Sequence, residues 1–202
     1  MLNLSKGQKL NLSKEFGLKQ AIVGLGWKPK KFDTQADFDL DASLFVLKED
    51  GSPFGRVITL PGAEDGWVCF YGQQSLPGGV AQHSGDDRTG GGSEDGDDEQ
   101  IKINFGAMPA EASRVAIVVT IHEATQRGQN FGQVDDAYCK VYDGSNKELA
   151  VYNLSDDAST AVAMMFVEFK KNGSGEWVMQ AVGEGFNKSL GDFFTAFKVP
   201  GY

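Results

Sequence analysis

Along most of this chain, apolar and polar residues alternate with a period of two, in short runs separated by Gly, Asn, Asp and Ser. That period puts successive side chains on opposite faces of an extended backbone. It predicts strands over residues 20–26, 37–47, 66–72, 100–105, 114–122, 137–142, 148–154, 161–169 and 176–183. Val115-Ala-Ile-Val-Val-Thr-Ile121 is apolar without alternation, which suits a central strand buried on both faces. Turn chemistry lies between the runs, as in Asp143-Gly-Ser-Asn146 and Lys171-Asn-Gly-Ser-Gly175. The chain opens with an echo: Leu2-Asn-Leu-Ser-Lys6 returns as Leu10-Asn-Leu-Ser-Lys14, and two short strands joined by a turn are expected there. Helical signals are few and late; residues 192–197 suit one short turn with Asp192 near its start. Many short strands with one or two short helices predict an all-β fold, a sandwich of two antiparallel sheets, forming one domain over residues 1–202.

Residues 84–99 break the pattern. Ser-Gly-Asp-Asp-Arg-Thr-Gly-Gly-Gly-Ser-Glu-Asp-Gly-Asp-Asp-Glu has no apolar period, and a loop of this length inside a compact domain is usually functional or disordered. Charge makes the same stretch conspicuous. The chain carries 28 acids and 19 bases, for a net charge of −9. Three acids (Asp37, Asp39, Asp41) fall within five residues, and seven more (Asp86, Asp87, Glu94, Asp95, Asp97, Asp98, Glu99) share the loop with Arg88 alone. The remainder holds 18 acids and 18 bases, so the whole negative excess sits in two short segments. No basic patch matches the phosphates of a nucleic acid, which argues against that class of partner.

On a strand, Asp37, Asp39 and Asp41 share one face while Phe38, Leu40 and Ala42 take the other. The apolar set is expected to join the core, leaving the carboxylates lined up outside it. Carboxylates about 7 Å apart repel by roughly 2–3 kcal/mol per pair at an effective dielectric near 20. A divalent cation would turn that repulsion into ligation. Calcium takes six to eight oxygens in flexible geometry, and carboxylates mixed with the carbonyls of a Gly-rich loop suit it better than magnesium. The alternatives without a metal are a solvated acidic strand face and a solvated acidic linker. Asp37-x-Asp39-x-Asp41 opens like an EF-hand loop, but Ala42 stands where Gly is needed and Lys48 where the bidentate Glu belongs.

Further motifs complete a recognisable set: Leu4-Ser-Lys-Gly7, Val23-Gly-Leu-Gly-Trp27, Asp37-Phe-Asp-Leu-Asp-Ala-Ser43, His83-Ser-Gly-Asp-Asp-Arg-Thr-Gly90, Gly96-Asp-Asp-Glu99, Val119-Thr-Ile-His122, Gly128-Gln-Asn-Phe-Gly-Gln-Val134 and Ala181-Val-Gly-Glu-Gly185. In this order the chain resembles the TerD-like family of bacterial stress and tellurium-resistance proteins. The resemblance implies a β-sandwich that binds calcium, two ions by expectation, with ligands among Asp37, Asp39, Asp41, Asp86, Asp87, Asp97, Asp98 and Glu99. It also implies roles in tolerance to tellurite and chemical stress and in defence against phage or colicins. The chain departs from the family pattern at Lys28-Pro29-Lys30, at Asp87 where Asn is frequent, and at Gly91-Gly92-Ser93, which enlarge the loop.

The remaining chemistry is thin. His83 and His122 are the only histidines; His83 beside the acidic loop suits either a metal-assisted hydrolase or, more simply, a strand end with a structural hydrogen bond. No nucleophile elbow or phosphate-cradling loop is present. Cys69 and Cys139 form no C-x-x-C pair and read as buried thiols of a reducing compartment. With no apolar run long enough to span a bilayer and no signal-peptide layout at Met1, a cytoplasmic location without a transmembrane segment is expected. Residues 127–133 offer either a recognition loop or turn chemistry. The function expected is a non-enzymatic, calcium-ordered structural or interaction module, with other stress-response proteins, including ones at the membrane surface, as partners. A metal-dependent hydrolase and a calcium-dependent glycan-binding module are the alternatives.

Overall fold

The computed structural model describes residues 2–3, 9–11, 19–28, 37–54, 67–91, 96–157 and 160–199. Glu94 and Asp95, the ends of the repeated N-terminal motif, and Pro29-Lys30 lie outside them. Twelve strands are seen among the described residues: β1 (Leu2–Asn3), β2 (Lys9–Asn11), β3 (Gln20–Lys28), β4 (Leu40–Leu47), β5 (Val68–Cys69), β6 (Ala81–His83), β7 (Glu99–Asn104), β8 (Arg114–Ile121), β9 (Asp135–Asp143), β10 (Glu148–Asn153), β11 (Ala163–Lys171) and β12 (Trp177–Phe186). Three short helices accompany them: α1 (Ala124–Arg127), α2 (Leu154–Asp157) and α3 (Leu190–Ala196).

The strands form two six-stranded sheets, ordered β1-β10-β9-β3-β7-β6 and β2-β12-β11-β8-β4-β5. Every pairing is antiparallel except that of β1 with β10. The two halves of the N-terminal echo are therefore strands, but not a hairpin. Leu2 sits opposite Ala150 in one sheet and Leu10 opposite Met179 in the other. Free backbone groups at two sheet edges offer more hydrogen bonds than one isolated two-strand ribbon could supply.

Alternation builds the principal core between the sheets. Val23 and Leu25 of β3, Ile101 and Ile103 of β7, Leu40 and Leu44 of β4 and Ile117 and Val119 of β8 all point into it. The continuous apolar run of β8 is explained by a second cluster on its opposite face. Ala116 and Val118 pack there with Phe45 and Leu47 of β4, under Phe193, Phe194 and Phe197 of the α3 segment. Phe45 lies 5.5 Å edge-to-face from Phe194, and Phe186 5.5 Å from Phe193. Ser189 caps α3 in a reciprocal box with Asp192, whose carboxylate is thereby held below its ordinary range. Cys69 and Cys139 are buried and unpaired. Trp27 and Trp177 are buried, whereas Trp67 is half-buried edge-on to Phe54.

The predicted strand over 66–72 shrinks to Val68–Cys69, with Gly66 outside the described residues, because Phe70 and Gln73 bond to each other across a tight turn. The strand predicted from residue 37 begins at Leu40, leaving Asp37 and Asp39 in the extended lead-in.

Candidate metal centre

β4 and the residues leading into it divide their side chains as alternation requires. Phe38, Leu40 and Ala42 enter the principal core, and Asp39 and Asp41 take the other face. The carboxylates were expected to line up outside the core; they do lie off the core between the sheets, yet Asp39 is only 8% exposed and Asp41 4%. The physical reason is the covering of the same sheet face, by α3 over Phe45 and Leu47 at one end and by the acidic loop at the other.

Strand β3 and its terminal Trp27 tie both acidic segments together. The indole Nε1–H donates to the carbonyl of Phe38 at 2.9 Å, just before Asp39. Gly90, at φ 68°, lies so close to that indole that a Cβ there would collide with it. The backbone N–H of Trp27 donates to Asp98 Oδ2 at 2.9 Å, and the N–H of Asp98 returns to the Leu25 carbonyl at 2.8 Å. Asp87 folds the loop on itself, its Oδ1 accepting from Thr89 N and Gly90 N, both at 3.0 Å.

Three of the sequence-predicted ligands converge. One carboxylate oxygen from each of Asp39, Asp41 and Asp86 lies within 4.8 Å of the others. Asp37 lines the same open cleft of about 390 Å³, with Arg88, Thr89, His122, Arg127 and Tyr71. Arg88 Nε lies 3.0 Å from Asp86 Oδ2, whereas neither buried aspartate has an ion pair among the described residues. Asp39 Oδ1 is buried with no hydrogen-bond partner among the described residues. Burial, then the charges of Glu99, Asp39 and Asp86, pushes the Asp41 carboxyl up to about 8. Burial also raises Asp39, against the opposing pull of His122. Carboxylates desolvated together must take up a proton or share a cation.

Four other predicted ligands, Asp87, Asp97, Asp98 and Glu99, accept hydrogen bonds from within the protein. Asp97 accepts from Tyr142 Oη and from Gln100 Nε2, both at 2.9 Å. Glu99, wholly buried, accepts from Ala42 N–H at 2.9 Å and from Asp87 N–H at 3.4 Å, so it joins β7, β4 and the loop. Burial raises its carboxyl, opposed by the His83 and Ala42 contacts. His83 Nδ1 accepts from Gly85 N–H at 3.1 Å, which leaves the proton on Nε2, 3.4 Å from Glu99 Oε2. His83 is thus the strand-end histidine of the simpler reading.

Four neighbours of the acidic cluster were not among the predicted site residues: Tyr71, Thr120, His122 and Arg127. Thr120 stands opposite Asp41 in the β4–β8 ladder, and His122 N–H donates to the Asp39 carbonyl at 2.8 Å. Arg127 Nη1 and Gln129 Nε2 reach the Asp37 carbonyl at 3.5 and 3.4 Å, so the 127–133 loop buttresses the site. Its shape comes from turn chemistry, with Gly128 at φ 64° and Asn130 boxed with Gln133. Only knowledge of which strand pairs with β4 could have located these residues.

Comparison with known proteins agrees with this architecture. A family model described as the TerD domain matches residues 1–197. The chain is 43% identical over 200 residues to tellurium resistance protein TerD of Serratia marcescens, covering 98% of this chain and 97% of that one. It is 38% identical to general stress protein 16U of Bacillus subtilis (strain 168), covering 97% and 96% of the two chains. The crystal structure of a homologue of telluride resistance protein (TerD) from Streptomyces coelicolor A3(2) superposes with a TM-score of 0.70 at 26% identity, covering 88% of this chain and 95% of that one. A protein of unknown function with 19% identity superposes at 0.71, a likeness of fold. With the family model matching nearly its whole length, this chain belongs to the TerD domain family of tellurium-resistance and general stress proteins.

Proposed function

We propose that the protein acts in the stress response as a calcium-dependent structural or interaction module, with no catalytic step of its own. The observation that carries this reading is the convergence of Asp39, Asp41 and Asp86, with a buried Asp39 oxygen that no donor among the described residues reaches. An all-carboxylate set on a loop edge suits a hard cation, and calcium tolerates its irregular geometry better than magnesium. Asp39, Asp41 and Asp86 would hold the first ion, with Asp37 at the cleft mouth. The cation would neutralise the buried charge and fix the loop face for a partner.

A second ion, as the resemblance implies, would fall to the Asp97–Asp98 limb, with Asp87 and Glu99 as the bonded frame between the two. The hydrolase alternative is disfavoured, since the His83 side chain is sealed from solvent and faces Glu99 instead of the cleft. A glycan-binding reading draws support from Tyr71, exposed at the cleft.

Thermal unfolding with calcium and with EGTA tests the proposal. Calcium is expected to raise Tm and Asp39→Ala to abolish the rise. An equal Tm in both conditions, or a full rise in the variant, refutes this cation site.

A further inference from the structure

The acidic cleft continues into a second one beside α1 and the start of α3. Asp41, Tyr71 and His122 line both. The second is mainly apolar, with Ile121, Val162 and Leu190 in its wall. Two further features set it apart from a simple surface groove. Thr120, 2% exposed and on its lining, has a hydroxyl with no hydrogen-bond partner among the described residues. Tyr71, where the two clefts meet, is the one large apolar side chain among the described residues that is exposed by more than a third.

We infer that the joined clefts bind a small neutral molecule bearing vicinal hydroxyls, a sugar or the ribose of a nucleoside, seated on the cation held by Asp39, Asp41 and Asp86. This rests on the cation reading above. The charge balance selects the ligand class. Among the described residues, five carboxylates and three cationic side chains line the two clefts, so a bound dication leaves no net formal charge there for an ionic ligand to satisfy. A calcium ion held by three carboxylates would have coordination positions to spare, and a diol would supply two further oxygens while donating hydrogen bonds to carboxylate oxygens. Asp39 Oδ1 is such an acceptor. Thr120 Oγ1 supplies the partner for a third hydroxyl. The apolar wall and the Tyr71 ring match the C–H faces of a sugar.

The test is calorimetric titration of the full chain, first with calcium alone and then, at saturating calcium, with methyl α-mannoside, adenosine or 2′-deoxyadenosine. Binding of mannoside or adenosine in calcium, lost in EGTA, is expected; 2′-deoxyadenosine, which lacks the vicinal pair, should give no heat. Tyr71→Ala should weaken binding about ten-fold and Thr120→Val about five-fold, with the calcium titration unchanged in both. Mannoside binding without adenosine assigns a free sugar, and the converse a nucleoside. If calcium binds and neither probe does, or a probe binds equally in EGTA or to Tyr71→Ala, the diol site is overturned and the cation reading stands. If calcium itself gives no heat, both fall.

Discussion

Replacing Asp41 by Asn keeps the side-chain shape while removing the most strongly desolvated charge at the acidic cluster. In the unfolded chain this carboxyl titrates near its ordinary 3.8, whereas burial and the neighbouring carboxylates hold its proton up to about 8 in the fold. Between those values the cation-free native state binds a proton that the unfolded chain has released. Its stability must therefore fall as pH rises, by about 1.4 kcal/mol per unit from this group alone, and level off above the folded value. At neutral pH the accumulated cost is about 4 kcal/mol. Asp41→Asn removes it and in exchange leaves a buried amide to satisfy, so a net gain of roughly 2 kcal/mol is expected in chelator. Urea unfolding in EGTA, repeated from about pH 5 to pH 8, measures both slope and gain. Saturating calcium should reverse the ranking, because the wild type then binds the cation through an ionised Asp41 and the variant does not. A wild type with no pH slope in EGTA, or a variant less stable than wild type there, would show that Asp41 is not a desolvated carboxylate.

Other consequences follow from the same geometry. Calcium binding below about pH 8 should release up to one proton from Asp41, visible as a dependence of titration heat on buffer ionisation enthalpy; heats independent of buffer would contradict it. Glu99→Ala leaves the Ala42 and Asp87 N–H groups without their acceptor and should cost about 2–4 kcal/mol in urea unfolding, while Glu99→Gln should recover much of it. Gly90→Ala combines a left-handed backbone with a collision against the Trp27 indole, and should lower stability by roughly 2–3 kcal/mol and shift tryptophan fluorescence. Phe194→Ala empties a position shared with Phe45 and Phe70 and should cost about 3–5 kcal/mol by the same unfolding assay.

The strands were legible wherever one face meets the core, because alternation records burial directly. The runs around Val23, Ile101 and Val141 are placed within a few residues of their observed limits. The acidic residues were legible as a set, since local charge density needs no partner to be seen. Their burial was not. It depends on α3 and the loop lying over the β4 face, and nothing in Asp37-Phe-Asp-Leu-Asp41 reveals what will cover it. The same limit separated Asp39, Asp41 and Asp86, which converge, from Asp97 and Glu99, which are bonded to tyrosine, glutamine and backbone. All are acids in the right segments, and the distinction is made by strand pairing. The N-terminal echo misled for a related reason: two matching strands suggest each other as neighbours, yet each found a different sheet.

That arrangement ties two sheet edges to one part of the chain. β1 borders β10 in one sheet and β2 borders β12 in the other, with Leu2 opposite Ala150 and Leu10 opposite Met179. Peeling both short strands away would bare the backbone of β10 and β12 together. A single local detachment thus opens both sheets at once to strand addition by a neighbouring molecule.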